Sequence, residues 1–162
     1  MEERRLRKAN ENDCDLLYRF RNDPLVREMS FHTEEIHYTV HQEFFEKLLA
    51  DRDRRQYVLE VEGEPAGQIR VKAAEDPVTG TRTALEISYS VDRAFRRRGL
   101  GTWLLREIVQ TAKEDFPETS VFLGSVKPEN QASNRAFLRA GYEALRTDEE
   151  KTLYQYRVDA IK

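Results

Sequence analysis

Apolar residues recur at three- and four-residue spacing in two stretches of the first third of the chain. This period places one face of a helix against a core, and it predicts helices over residues 14–20 and 39–50. Asn22-Asp23-Pro24 interrupts the first helix, since a residue before proline disfavours the helical conformation. A short helical turn is expected to restart at Pro24, with Leu25 and Val26 facing inward. The apolar face predicted for residues 39–50 consists of Val40, Phe44, Phe45, Leu48 and Leu49.

The rest of the pattern is mostly that of strands, in which apolar and polar residues alternate at a two-residue period. It predicts about seven strands, over residues 6–9, 56–61, 66–73, 83–91, 121–123, 142–145 and 152–158. Residues 62–65 form a turn between the second and third strands. Residues 101–115 and 129–140 return to the helical period, and Gly141 is expected to end the second of these helices in a left-handed conformation. The order of elements therefore predicts an α/β (α+β) fold with a mixed sheet that carries helices.

The composition fits a single globular domain over residues 1–162, with 39% hydrophobic and 35% charged residues. The net charge of −3 supplies no basic field for nucleic acid, and no stretch approaches the roughly 18 apolar residues of a membrane span. Cys14 is the only cysteine, so neither an internal disulfide nor a cysteine zinc site is expected. Since the N-terminus does not have the pattern of a signal peptide, a reducing, cytoplasmic location is expected.

A short segment between a strand and a helix has the features of an anion-binding loop. The strand ends at Val91 and the helix begins near Gly101, with three arginines and Gly99 between them. The first amides of a helix lack internal acceptors, the helix dipole favours an anion, and glycines let the backbone curl round a diphosphate. The segment has neither the lysine of a Walker loop nor the glycine spacing of a dinucleotide fold. Taken alone, it also fits a glycine-containing turn with a solvated basic run.

Three segments together resemble one known family. The sequence Arg96-x-x-Gly99-x-Gly101 resembles the Gln/Arg-x-x-Gly-x-Gly/Ala signature of the GNAT acetyltransferases. Residues 86–91 resemble the fourth strand of that family, and residues 126–142 resemble its segment after the fifth strand. The resemblance covers roughly residues 57–158. It implies an N-acetyltransferase with acetyl-CoA as cosubstrate and no metal. It also implies a mostly antiparallel sheet of about seven strands, splayed between strands four and five, with helices on both faces.

The resemblance assigns roles around the cofactor. The backbone of residues 89–91 is expected to pair with the pantetheine arm, and the amides of residues 97–102 are expected to hold the pyrophosphate. Asn130 is expected to contact the cofactor, and Ser133 or Asn134 to add a polar contact. The implied cofactor-binding residues are Tyr89, Ser90, Val91, Arg96, Arg97, Arg98, Gly99, Leu100, Gly101, Thr102, Asn130, Ser133, Asn134 and Phe137.

Direct acetyl transfer to an amine needs a neutral amine and a proton for the leaving thiolate. Glu86 lies on the strand beside the expected acetyl position and is the candidate base, accepting the amine proton through water. A surface strand glutamate is the alternative. Many family members have a tyrosine acid where this chain has Phe137, which cannot donate a proton. Tyr142, Tyr89 or water could supply that proton, or the thiolate leaves without a side-chain acid.

In this family the N-terminal helices and their loop usually cover the acceptor. Here residues 18–45 resemble the branch that acetylates nucleotide-linked amino sugars, as in the pseudaminic acid pathway, where the acceptor is an amino-dideoxy sugar on UDP. They resemble more loosely the N-terminal acetyltransferases of ribosomal proteins. The expected partner is therefore a small-molecule amine such as a nucleotide sugar, bound by a monomer or homodimer. The expected acceptor-binding residues are Arg21, Asn22, Met29, Phe31 and His37.

Other interpretations of the same residues stay open. Asn22-Asp23-Pro24 equally fits a structural cap of a turn. His37 and His41 are four residues apart but lack a third ligand, so no metal site is expected, and a contact of His32 or His37 with the acceptor fits better. The competing functions are acetylation of a protein N-terminus and a non-catalytic CoA-binding module, the latter favoured by Phe137.

Overall fold

The computed structural model describes residues 2–158, and within them seven strands form one open, mixed sheet. The strands are β1 (Arg4–Lys8), β2 (Arg54–Val61), β3 (Glu64–Ala74), β4 (Ala84–Val91), β5 (Val121–Val126), β6 (Glu143–Thr147) and β7 (Thr152–Arg157). Their order is β1-β2-β3-β4-β5-β7-β6, and neighbours are antiparallel except β4 and β5, which are parallel. The predicted mixed sheet of about seven strands is confirmed.

Five α-helices occur in the described part of the chain, and polar side chains cap the starts of two of them. They are α1 (Cys14–Arg21), α2 (Pro24–Met29), α3 (Tyr38–Ala50), α4 (Leu100–Thr111) and α5 (Gln131–Arg139). Asp23 accepts hydrogen bonds from the first amides of α2, and Asn130 accepts one from Ser133 in α5. All four predicted helices occur within a few residues of their expected bounds. A short 3₁₀ turn, Ala112–Glu114, follows α4.

The turn between β2 and β3 is shorter than the sequence predicts. Glu62 and Gly63 both have positive φ, of 51° and 79°, as the two central positions of a type I′ hairpin turn require. Such a turn joins two strands through two residues only. Strand β3 therefore begins at Glu64 and includes Pro65, and the expected turn over residues 62–65 is wrong in length.

One compact unit comprises residues 1–70 and 89–98. Its core is formed by buried side chains of α1, α3 and β2, namely Leu17, Phe20, Phe45, Leu48 and Val58. The sequence predicts inward positions for Leu25, Val40 and Leu49, yet they are 42%, 56% and 40% exposed. Leu25 lies on a six-residue helix that buries none of its side chains. On α3 the buried stripe includes His41, so Val40 and Leu49 fall on its flanks.

Among the described residues, the other compact unit comprises residues 71–88 and 99–158. Helix α4 buries a stripe at steps of four, one and three residues, formed by Leu100, Leu104, Leu105 and Ile108. Trp103 and Val109 are expected in this stripe, but both are only half-buried because they lie at its edges. Leu105, which the sequence pattern does not single out, is fully buried. Gly141 has φ of 95°, which confirms the left-handed end predicted after α5.

Candidate active site

The parallel ladder between β4 and β5 is short. It joins residues 84–86 to residues 121–123, whereas β4 continues to Val91 and β5 to Val126. The pairing thus ends at Glu86 and Leu123, as a splay between the fourth and fifth strands requires. Glu86 is the last paired residue of β4, and its side chain is exposed. The candidate base therefore lies where the ladder opens, and water can reach it.

The loop before α4 is shaped by two left-handed residues. Gly99 has φ of 75° and is the N-cap of α4, where it supplies no capping side chain. Arg97 has φ of 65°, a backbone conformation that residues other than glycine, asparagine and aspartate seldom adopt. The first intrahelical bond runs from the Trp103 amide to the Gly99 carbonyl, at 3.1 Å. Within residues 2–158, the amides of Leu100, Gly101 and Thr102 have no acceptor. These free amides at a helix start can bind an anion.

The three arginines of this loop differ in their surroundings. The Arg96 guanidinium donates to the Val91 carbonyl at 3.1 Å and pairs with Asp23 Oδ2 at 3.1 Å. Since Asp23 also caps α2, Arg96 fixes the start of the loop, and its side chain is already engaged. Arg98 is exposed, lies 3.5 Å from Glu2 Oε2, and its guanidinium carbon lies 5.1 Å from the centroid of the Phe95 ring. Arg97 is also exposed. Of these three arginines, Arg97 and Arg98 have exposed side chains, and they precede the free amides of residues 100–102 in the chain.

The polar residues predicted around α5 mainly hold that helix in place. Asn130 Oδ1 accepts from the Ser133 amide at 3.1 Å. Asn134 Nδ2 donates to the carbonyls of Lys127 and Asn130, and its Oδ1 accepts from the Tyr154 hydroxyl. Asn134 thus has internal partners on both ends of its amide, and Ser133 is buried. The structure gives Asn130 and Asn134 a role in positioning α5, whereas contact of Asn130, Ser133 or Asn134 with the cofactor stays a prediction.

Phe137, the position where the sequence resemblance expects a tyrosine acid, lies inside its unit. It is 2% exposed, stacks on Tyr154 with ring centroids 5.0 Å apart, and its ring covers Gly124 so closely that a Cβ there would overlap it. Tyr142, a candidate replacement acid, is also buried, and its hydroxyl donates to the Leu105 carbonyl at 2.8 Å. Because the hydroxyl proton is used in that hydrogen bond, the prediction that Tyr142 could act as the acid is wrong. Tyr89 is half-buried and stays a candidate.

The Asn22 side chain has a structural partner, the backbone of Ile36. Its Nδ2 donates to the Ile36 carbonyl and its Oδ1 accepts from the Ile36 amide, both at 2.9 Å. The side chain therefore joins the end of α1 to the segment before α3, and contact of Asn22 with the acceptor stays a prediction. The other expected acceptor residues differ in their exposure to solvent: Met29 is half-buried, while Phe31 and His37 are exposed.

Arg21 contacts a buried histidine. Its Nη1 lies 3.0 Å from His41 Nδ1, while His41 Nε2 lies 2.8 Å from the Cys14 carbonyl. The carbonyl can only accept and the guanidinium can only donate, so His41 is neutral with its proton on Nε2. Burial, followed by the nearby Arg21 charge, holds the pKa of His41 below its usual value. A protonated ring would lose the Arg21 contact and face a like charge.

This histidine should make the protein less stable in mild acid. The folded-state pKa of His41 lies below the unfolded value of about 6.5, so the unfolded state binds the proton first. The free energy of unfolding is therefore expected to fall as pH drops below about 6.5, by at most about 1.4 kcal/mol per pH unit. H41Q retains an amide donor for the Cys14 carbonyl and should show a shallower loss. Urea unfolding at several pH values between 5.5 and 7.5 measures both slopes, with H37Q, at an exposed position, as the control. Equal slopes for H41Q and wild type would contradict the assignment.

Two further expectations concern metals and membranes. In the part of the chain that the structure describes, no group of three or more His, Cys, Asp or Glu residues could hold a metal ion. None of the described helices combines the length and apolar character that crossing a membrane demands.

Comparisons with known proteins agree with this geometry. The chain matches the model of the acetyltransferase (GNAT) family over residues 17–142. Among solved structures it is similar to the aminoglycoside acetyltransferase AAC(6')-Ib in complex with coenzyme A, at 22% identity and TM-score 0.79, covering 96% of this chain and 95% of that one. It is also similar to RimL, a ribosomal L7/L12 α-N-protein acetyltransferase in complex with coenzyme A, at 17% identity and TM-score 0.77, covering 97% and 95%. A GNAT-family acetyltransferase from Streptococcus pneumoniae has 16% identity and TM-score 0.73, covering 97% and 100%.

No curated protein matches the chain significantly. At these identities the solved structures establish the fold. None of the three is named for a nucleotide sugar, so the comparisons do not support the expected amino-sugar branch.

Proposed function

This chain belongs to the acetyltransferase (GNAT) family and is an acetyl-CoA-dependent acetyltransferase, and from that premise we propose that it acetylates a primary amine of a small molecule by direct attack. The observation that carries the proposal is the loop before α4, where three successive amides, those of Leu100, Gly101 and Thr102, have no acceptor within the described residues. A diphosphate matches such a row of donors. Bound acetyl-CoA supplies the thioester that the amine attacks.

The residues around this loop have different roles in binding acetyl-CoA. The amides of residues 100–102 hold the diphosphate, and the exposed side chains of Arg97 and Arg98 add positive charge. Arg96 acts as a positioning residue, since its side chain binds Val91 and Asp23. The end of β4, beyond its last pair with β5, offers backbone groups to the pantetheine arm.

Glu86 is the candidate base for the amine proton. Its carboxylate lies at the last paired position of β4 and is exposed, so it acts through water rather than by direct contact. Phe137 and Tyr142 cannot protonate the leaving thiolate, because one has no proton to give and the other donates its own to Leu105. Tyr89 or water supplies that proton.

Replacing the base should slow turnover without weakening cofactor binding. E86Q is expected to lower kcat by about ten- to a hundredfold, which is at or below the lower limit of the usual acid–base contribution, because solvent partly replaces an exposed carboxylate that acts through water. The Kd of acetyl-CoA should stay unchanged. Rates measured by thiol release from pH 6 to 9 test this, with E114Q, at an exposed glutamate after α4, as the control. A kcat equal to that of wild type across this range would remove Glu86 from the mechanism.

For the acceptor, we propose an amino-deoxy sugar linked to UDP. Arg21 offers a guanidinium to a phosphate, and Met29 and Phe31 offer apolar surface to a deoxy sugar. The second candidate is a protein N-terminus, which is favoured by the structural similarity to a ribosomal protein acetyltransferase. A non-catalytic CoA-binding module is the third, favoured by the absence of a tyrosine at Phe137.

Two measurements separate these candidates. Calorimetry with acetyl-CoA comes first, and no binding at millimolar ligand would overturn the cofactor assignment. Thiol release is then compared between UDP-linked amino-deoxy sugars and peptides that match ribosomal N-termini. Acetylation of the peptides alone would replace the nucleotide sugar with a protein acceptor. Binding of acetyl-CoA without acetylation of any amine in the panel would favour the binding module.

A further inference from the structure

Three arginines gather around one aromatic ring in the unit that comprises residues 1–70 and 89–98. The guanidinium carbons of Arg21, Arg70 and Arg54 lie 4.4, 5.1 and 5.4 Å from the centroid of the Phe44 ring. They come from three different elements, α1, β3 and β2, so the fold rather than local sequence brings them together. All three side chains are half-buried, as is Phe44. We call these four residues the arginine cluster.

The cluster has more positive charge than the protein neutralises. Arg54 Nε pairs with Asp51 at 2.8 Å. Within residues 2–158, neither Arg21 nor Arg70 forms an ion pair, and Arg70 has no hydrogen-bond acceptor. By contrast, the half-buried Arg7 pairs with both Asp13 and Glu60. A guanidinium carries five donors, so the Arg70 side chain has several to offer.

Placing like charges together in a half-buried position is unfavourable. Burial, followed by the charges of Arg21 and Arg54, lowers the pKa of Arg70 to about 10. Burial also lowers the pKa of Arg21. The Phe44 ring offsets part of this repulsion, because the face of an aromatic ring attracts cations. It cannot satisfy the guanidinium N–H groups, which need oxygen acceptors.

We propose that the arginine cluster binds an oxyanion, a phosphate or carboxylate, carried by the acceptor amine. This inference rests on the proposed acetyl transfer to a small amine, and it adds the site that would bind an anionic group of the acceptor. An oxyanion neutralises the surplus charge and accepts the free donors, with Arg70 as the principal ligand and Arg21 and Arg54 beside it. Polycationic acceptors such as aminoglycosides would be repelled there, although the fold is shared with an enzyme that acetylates them.

The test measures anion binding separately from turnover. The protein is first saturated with CoA, which fills the loop before α4, and inorganic phosphate is then titrated at constant ionic strength. Calorimetry should detect phosphate binding to wild type. R70Q should bind phosphate at least about tenfold more weakly, as expected when a charge-assisted hydrogen bond is lost. R146Q, at an exposed arginine of β6, is the matched control and should bind as wild type does.

A second arm distinguishes the source of the anion. Acetate replaces phosphate in the same titration: binding of phosphate alone indicates a phosphate-bearing acceptor, and binding of both indicates that a carboxylate suffices. R70Q without anion should keep the Tm of wild type or exceed it, because it removes repulsion between like charges. Equal phosphate affinity in R70Q and wild type, or no binding of either anion to wild type, would overturn the proposal. Neither result affects acetyl transfer itself, which fails only if CoA does not bind or no amine is acetylated.

Discussion

Gly101→Val should weaken CoA binding by at least about a hundredfold. Gly101 is the second residue of α4, in the row of amides without an acceptor. A branched side chain there would keep the diphosphate from reaching these donors. A hydrogen bond to a charged group contributes about 1.5–3 kcal/mol, so the loss of two costs about 3–6 kcal/mol, which is two to four orders of magnitude in Kd.

The same substitution should leave the fold intact. Gly101 lies within a regular helix and does not have positive φ, and valine has a higher helix propensity than glycine. The Tm of the ligand-free variant is therefore expected to stay near that of wild type. Q110V places the same side chain at an exposed position of α4 and serves as the control in calorimetry. A Kd for CoA within about threefold of the wild-type value would show that the diphosphate lies elsewhere.

Local signals in the sequence explain which parts of this loop could be predicted. Gly99 and Gly101 stand between a strand period and a helix period, and the structure has a left-handed turn and a helix start at that place. The left-handed Arg97 could not be foreseen, because arginine has no preference for positive φ. Likewise, α3 was predictable from its period, but the inclusion of a buried histidine in its stripe was not, since His41 needs partners on α1.

Roles of side chains that depend on partners far along the chain could not be predicted from the sequence. The sequence around Asn22 fits both an acceptor ligand and a turn cap. Its hydrogen bonds to Ile36, 14 residues away, become visible only in the structure. Phe44 fits the apolar period of its helix and packs against the core, yet three arginines also surround its ring. Asp76 lies in the loop between β3 and β4, and it is nevertheless fully buried. Its partners lie 44 and 81 residues further along the chain.

Asp76→Asn should lower the free energy of unfolding by about 3 kcal/mol at neutral pH. The Asp76 carboxylate accepts two hydrogen bonds from Arg157, at 2.8 and 2.9 Å, one from Ser120 Oγ at 2.7 Å, and one from the Val78 amide at 2.9 Å. An asparagine would turn an NH₂ group toward the donors of Arg157 or Ser120. Breaking a buried ion pair costs about 3–5 kcal/mol, and the lower end applies because the Arg157 side chain remains 35% exposed.

The loss should depend on pH in a defined direction. Arg157, followed by the Val78 amide and Ser120, holds the pKa of Asp76 well below its usual range despite burial. The pKa of an aspartate carboxyl in the unfolded chain is about 3.9. The stabilisation by the Asp76 carboxylate is therefore complete above that pH and disappears as pH falls through the lower pKa of the folded state. The difference between wild type and D76N should therefore narrow from pH 5 towards pH 3. Urea unfolding at pH 7, 5, 4 and 3 measures it.

A matched control and a double-mutant cycle separate the ion pair from its hydrogen bonds. Asp148 also accepts two backbone amides, from Glu150 and Lys151, but is exposed, so D148N should cost less than about 1 kcal/mol. R157Q removes the partner charge, and D76N combined with R157Q should cost less than the sum of the single variants, because the two side chains are in direct contact. Strict additivity, or a cost of D76N no larger than that of D148N, would mean that the buried carboxylate does not bind Arg157 in solution. If the coupling is found, Asp76 joins the loop of residues 75–83 to Ser120, directly before β5, and to Arg157 at the end of β7.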